Sequence, residues 1–292
     1  MFRRLVLCLL AAMFIPFNGV QAQGITLQKG SLEHGGLTRT FMYYLNEIAE
    51  TNAPSALILV LHGGGGSGQQ VSNLGFTELA YRADRGVIVV YPDGVEGWND
   101  GRELDWRKGV DDVGFLTSLI EHFQGQYPLE KVFVTGVSNG GIMSFALGCL
   151  AADQIDAIAP VIGGLAKNLA PTCAPSHPLP VLSIVGTADR LVPFGGGTVA
   201  YNRGEIISAA ESIALWRRVN GCPEEATREQ LSKRGLRGVT VYRELSTPEK
   251  CTSGKPVIWY ILDGGGHEWP GRNTNGAGAT EVIWVFFQGQ WQ

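Results

Sequence analysis

The sequence predicts an α/β fold with a mostly parallel, doubly wound sheet, flanking helices and an N-terminal antiparallel hairpin. Six short apolar runs carry the prediction: Leu57–Leu61, Val87–Tyr91, Val132–Thr135, Ala157–Ile162, Val181–Gly186 and Val257–Leu262, with Gly, Pro or Asp at or near their ends. Runs this short, without polar alternation, are strands buried on both faces. Helical periodicities lie between them, and strands alternating with helices form a sheet with right-handed crossovers.

The elements follow in chain order. Met1-Phe2-Arg3-Arg4 is basic, Leu5 to Phe17 is apolar, and Val20-Gln21-Ala22 ends in small residues. That pattern is an export leader, residues 1–22, cleaved after Ala22 and leaving one domain over 23–292 in a secreted or periplasmic protein. A membrane anchor would need about 20 apolar residues, and this run is shorter and contains Pro16. Ile25–Gly30 and Thr38–Leu45 flank "EHGG" and form the hairpin at the sheet edge. Val113, Leu116, Leu119, Ile120 and Phe123 recur at helical steps, with Asp111 or Asp112 suited to the N-cap. Ile142–Leu150, Ser208–Val219 and Ala279–Gln288 are helical as well. The formal net charge is −4 and Lys/Arg do not cluster, which argues against nucleic acid or an anionic membrane as partner.

Cys8 leaves with the leader, so Cys149, Cys173, Cys222 and Cys251 remain. An even number in an exported protein suggests two disulfides, with free buried thiols as the alternative, and the four cysteines can pair in more than one way. The pairing of nearest neighbours, Cys149 with Cys173 and Cys222 with Cys251, closes the shortest loops and is the expected one.

The chemistry centres on Gly136-Val137-Ser138-Asn139-Gly140, the chain's one match to G-x-S-x-G. It follows a predicted strand and precedes a helix, as a nucleophile elbow requires. Flanking glycines allow a turn too sharp for a Cβ, and the helix behind aims its positive end at developing negative charge. The alternative is a serine that only helps the chain reverse. A serine hydroxyl is inert near neutral pH without a base. In the hydrolase order the acid and then the histidine follow the serine, and only His177 and His267 do so. His177 precedes a strand, whereas His267 lies in "DGGGHEWPG" at a strand exit, where such folds bind and react. His267 is therefore the expected base. Asp189, in "VGTADRLVPF", is the expected acid, and Asp263 is its competitor.

An oxyanion hole needs two donors. The N–H of Asn139 is one, and "LHGGGGSG" supplies the other, Gly64 first and Gly63 next. The same glycines fit G-x-G-x-x-G through Gly63, Gly65 and Gly68, but the acidic residue of a dinucleotide site is missing, as is the Lys of a P-loop. No cofactor is expected. Asp111-Asp112 is a helix cap rather than a metal site, so no metal is expected either. Trp98 and Trp269 either wall the site against an aryl or acyl group or pack as ordinary large aromatics.

With these residues identified, the chain resembles the secreted feruloyl esterases and poly(3-hydroxybutyrate) depolymerases. The motifs that carry the likeness are "LHGGGGSG", "YPDGVEGWND", "VDDVGFL", "VTGVSNGGIMS", "GTADRLVPF" and "GGGHEWPG", in family order from Leu61 to Gly271. Val185 departs from the pattern, since relatives often read "HGTAD". The resemblance implies an α/β-hydrolase fold, ester hydrolysis, a triad of Ser138, Asp189 and His267, and disulfides at the four cysteines. Feruloyl, acetyl-xylan and polyester substrates all fall within it. The partner is thus a small-molecule or oligomeric ester. With no stretch left over for a polymer-binding module, short soluble esters are expected. The alternatives are a serine peptidase with the same triad and a binding protein without turnover.

Overall fold

Side chains along a strand point to alternate faces, so a continuous apolar run serves two cores at once. In the computed structural model, which describes residues 25–104, 107–231, 238–271 and 278–291, this is what the runs do. The expected leader lies outside the described residues.

Strands β1 (Gln28–His34) and β2 (Leu37–Leu45) form the N-terminal hairpin, followed by helix α1 (Glu47–Glu50) and β3 (Ser55–Leu61). The hairpin turn is Gly35-Gly36 alone, both at positive φ, and His34 already pairs with Leu37. The paired region therefore runs further into "EHGG" than expected. Two glycines with left-handed backbone match the twist of the flanking strands.

Two short helices, α2 (Gly68–Val71) and α3 (Phe76–Tyr81), lead to β4 (Gly86–Pro92). Then come α4 (Asp112–Gln124), β5 (Leu129–Val137), α5 (Asn139–Leu150), β6 (Ala157–Val161) and β7 (Val181–Gly186). A two-residue pair, β8 (Gly197–Thr198) and β9 (Glu205–Ile206), stands apart from the main sheet and precedes α6 (Ala209–Val219). The chain finishes with β10 (Thr227–Gln230), β11 (Thr240–Ser246), β12 (Val257–Asp263) and α7 (Ala279–Gly289).

Among the described residues the main sheet has the order β1-β2-β4-β3-β5-β6-β7-β12-β11-β10. It is parallel from β4 to β12 and antiparallel at both ends. On one face Leu57, Leu59, Val132 and Val134 pack with Phe115 of α4, Leu147 of α5 and Trp216 of α6. On the other, Ile58, Val60, Val89 and Phe133 pack with Phe76 of α3 and Phe287 of α7. Disulfides Cys149–Cys173 and Cys222–Cys251 tie the ends of α5 and α6 to the segments beside them.

The topology positions the site. The chain goes from β3 to β4 on one side and then to β5 on the other, which opens a crevice at the carboxyl ends of β3 and β5. Leu61 and Gly136 are register partners there, so the glycine loop and the serine leave the sheet side by side. Gly186 and Leu262 are partners in β7 and β12, which brings the loops of Asp189 and His267 together in the same way.

Candidate active site

Ser138 is the N-cap of α5 and has φ 58° and ψ −118°, a strained backbone for a residue with a Cβ. The strain is held by close packing of the elbow. A Cβ on Gly136 would stand 2.5 Å from the Gly140 carbonyl oxygen, and one on Gly140 would stand 2.3 Å from that of Leu61. Glycine is required at both positions, and the turn lifts the serine hydroxyl above the sheet.

His267 Nε2 lies 2.9 Å from Ser138 Oγ, and His267 Nδ1 lies 2.8 Å from Asp189 Oδ2. The second oxygen of Asp189 accepts the N–H groups of Leu191 and Val192 at 2.8 and 2.9 Å. A buried carboxylate with both oxygens engaged is fixed in orientation, so it fixes the imidazole. Asp263 is exposed and accepts from Thr187, and His177 is exposed with its ring at the Pro178 carbonyl. Neither reaches the serine.

The glycine loop abuts the elbow, since a Cβ on Gly63 would be 3.5 Å from that of Ser138 and one on Gly64 3.8 Å from that of Asn139. What orients this loop is His62, a fully buried residue that is not among the expected site residues. Gly94 N–H donates to His62 Nε2 at 2.8 Å, which leaves Nδ1 to donate to the Gly63 carbonyl at 2.7 Å. Desolvation pushes the His62 pKa below the ordinary imidazole value, partly opposed by the hydrogen bond to Gly63. The ring is thus a neutral, doubly bonded brace. The "HG" that opens the glycine motif was the available signal.

Trp98 requires a correction. It is fully buried and does not line the cleft, so it forms no wall for a substrate. Its ring packs on His62 with centroids 4.8 Å apart, and its Nε1 donates to the His62 carbonyl at 2.8 Å. Its backbone clasps the Asn139 amide, donating to Oδ1 at 2.7 Å and accepting from Nδ2 at 3.1 Å. A large ring with its one polar atom satisfied is more stable inside this packing than in water. Trp269 does line the cleft, and its indole N–H donates to Thr280.

Asn139 Nδ2 also donates to Asp100 at 2.5 Å. Asp100 in turn forms a buried, two-pronged ion pair with Arg102, whose Nε donates to Oδ1 and Nη2 to Oδ2. Neighbouring Asp111 and Asp112 differ in role. Asp111 caps α4 through the Gly114 N–H, whereas Asp112 is buried, pairs with Arg39 at 2.6 Å and accepts the Asn99 N–H at 2.6 Å. The loop carrying Trp98, Asn99 and Asp100 is therefore held from two sides. The cleft above it has a volume of about 700 Å³.

A strained serine in hydrogen-bond line with a histidine and a buried carboxylate, beside a glycine loop at the crevice of a parallel sheet, is the constellation of a serine hydrolase. No family model matches the chain. It is 34% identical over 252 residues to "Putative esterase NocK" of Nocardia uniformis subsp. tsuyamanensis, covering 80% of this chain and 72% of that protein. Feruloyl esterase C of Emericella nidulans is 26% identical over 285 residues, 94% of this chain and 93% of that one. Among solved structures, an acetyl xylan esterase from Aspergillus awamori aligns with a TM-score of 0.62 at 14% identity, over 89% of this chain and 99% of that one, which is a likeness of fold. The chain belongs to the esterase family of these sequence relatives: it is a carboxylic ester hydrolase with the α/β-hydrolase fold.

Proposed function

We propose that the protein hydrolyses short or soluble esters, of feruloyl, acetyl or hydroxyalkanoate type, through an acyl-enzyme on Ser138. His267 takes the serine proton during attack and returns it to the leaving alcohol. Asp189 orients the imidazole and stabilises its cation. The N–H groups of Asn139 and Gly64, with Gly63 as the alternative, receive the oxyanion. Trp269 contributes an apolar wall for the acyl or aryl group. The observation that carries this reading is the unbroken hydrogen-bond chain from Ser138 through His267 to Asp189. The two disulfides support export, with residues 1–22 as leader and 23–292 as the catalytic domain.

The test is hydrolysis of a 4-nitrophenyl ester by the wild type, Ser138→Ala, His267→Ala and the double variant. Each single change abolishes turnover, and the double variant is hardly worse, because residues acting as one unit are not additive. Asp189→Asn folds and loses up to about 10⁴ in kcat through the wrong imidazole tautomer. Independent, multiplying losses would defeat the assignment. A panel of feruloyl, acetyl and 3-hydroxybutyryl esters ranks the acyl groups.

A further inference from the structure

Among the described residues three arginines line the cleft: Arg102, Arg107 and Arg203. Two have structural work. Arg102 is buried against Asp100, and its Nη1 donates to the Arg203 carbonyl at 2.8 Å. Arg107 donates to the carbonyls of Val95 and Glu96. The Arg203 side chain has no hydrogen bond or ion pair among the described residues. Its guanidinium carbon lies 5.4 Å from the centroid of the Tyr201 ring. Its Nη1 is 3.6 Å from where a Cβ on Gly64 would stand, a point also 3.8 Å from Asn139 Cβ. An unpaired cation thus stands beside both proposed oxyanion donors.

The turn that carries it is built rather than loose. Tyr201 and Asn202 take left-handed backbone, at φ 62° and 54°, which side-chain-bearing residues avoid unless the surroundings enforce it. The enforcement is visible. Val199 N–H donates to Gly204, Arg203 N–H to Val199 and Ala200 N–H to Leu191, at 2.9, 3.1 and 2.8 Å. The Arg102 guanidinium adds its bond to the carbonyl of Arg203 itself. A buried ion pair that also holds Asn139 therefore fixes the backbone under the unpaired cation.

We propose that Arg203 is a specificity-determining residue that pairs with a carboxylate carried by the ester, so that the preferred substrates bear an anion close to the scissile carbonyl. A planar guanidinium matches a carboxylate with two parallel hydrogen bonds, and the aromatic neighbour limits its freedom. Glu96 and Glu268 also line the cleft. The field of the cleft is therefore mixed in sign, and selection comes from contact with Arg203 rather than from bulk charge. The inference rests on Ser138 being the nucleophile.

The test uses two matched pairs of esters. One pair, 4-nitrophenyl hydrogen succinate and its methyl ester, differs on the acyl side. The other, 4-acetoxybenzoate and 4-acetoxybenzamide, differs on the alcohol side. For each pair the ratio of kcat/KM, anionic over neutral, is measured in the wild type, Arg203→Gln and Arg203→Lys. The change in ratio between enzymes removes the intrinsic reactivity of the esters. In at least one pair the ratio falls about fivefold in Arg203→Gln, mainly through KM, with Arg203→Lys between. Added salt lowers the wild-type ratio. An unchanged ratio in both pairs, with neutral esters still hydrolysed, overturns the role of Arg203 and leaves the esterase reading intact. Full activity in Ser138→Ala would instead remove the nucleophile and this inference with it.

Discussion

Asn139 donates its side-chain amide to Asp100 at 2.5 Å, across 39 positions of sequence. The residue after Ser138 is thereby anchored to a carboxylate that Arg102 holds in a buried ion pair, and Arg102 reaches on to the carbonyl of Arg203. One charge pair links the helix start behind the serine to the turn on the cleft wall. Preorganised donors depend on such support, because a small displacement weakens them at the moment of reaction.

Asp100→Asn is therefore expected to lower both stability and turnover. Removing one partner leaves the Arg102 cation buried and unpaired, at a cost of about 3–5 kcal/mol. The melting temperature falls, and kcat falls with KM much less affected. A variant with wild-type kcat would mean that Asn139 is held well enough by Trp98 alone.

His62 sets an acid limit on stability. Burial keeps its folded pKa below the usual value, whereas the unfolded chain takes up a proton near pH 6.5. Just below that pH the unfolded state binds more protons, so stability is lost as pH falls through the window and is present above it. Asp111, held low by the Gly114 amide and His34, adds its own loss only below the ordinary carboxylate range. Melting temperatures from pH 7 to pH 5 drop more steeply in the wild type than in His62→Gln. Parallel curves would rule out the imidazole as the cause.

Gly140→Ala tests the packing of the elbow. The added methyl meets the Leu61 carbonyl oxygen at 2.3 Å and that of His62 at 2.6 Å, both backbone atoms that cannot swing aside. Destabilisation of about 1–3 kcal/mol or more is expected, with activity lost. Gly195→Ala, where the methyl would meet nothing within 4 Å, is the control. Equal melting temperatures for the two variants would contradict the close approach of the elbow to β3.

Reduction tests the disulfides. The bridges join residues 24 and 29 positions apart, and in the chain-entropy model each loop contributes about 3–4 kcal/mol. The melting temperature falls markedly in reductant. An unchanged melt, with Cys149, Cys173, Cys222 and Cys251 all open to alkylation in the unfolded protein before reduction, would show that the bridges do not form.

The sequence by itself determined the parallel centre of the sheet, because a strand buried on both faces must be apolar along its whole length. It also made Ser138, Asp189 and His267 legible as candidates, through a glycine-flanked elbow and the order in which strand-exit loops follow it. The edge strands β10 and β11 were not legible. Thr227–Gln230 is exposed throughout, and Thr240–Ser246 mixes buried with half-buried residues, so neither carries a continuous apolar run. The side on which Trp98 lies was equally beyond the sequence, since one indole serves a substrate wall or a core and only its neighbours decide which. Tertiary structure alone decided the network from Asp112 through Asn99, Trp98, Asn139 and Asp100 to Arg102 and Arg203. Its bonds join residues up to 101 positions apart, and the local pattern around a polar residue carries no information about which distant partner satisfies it once it is buried.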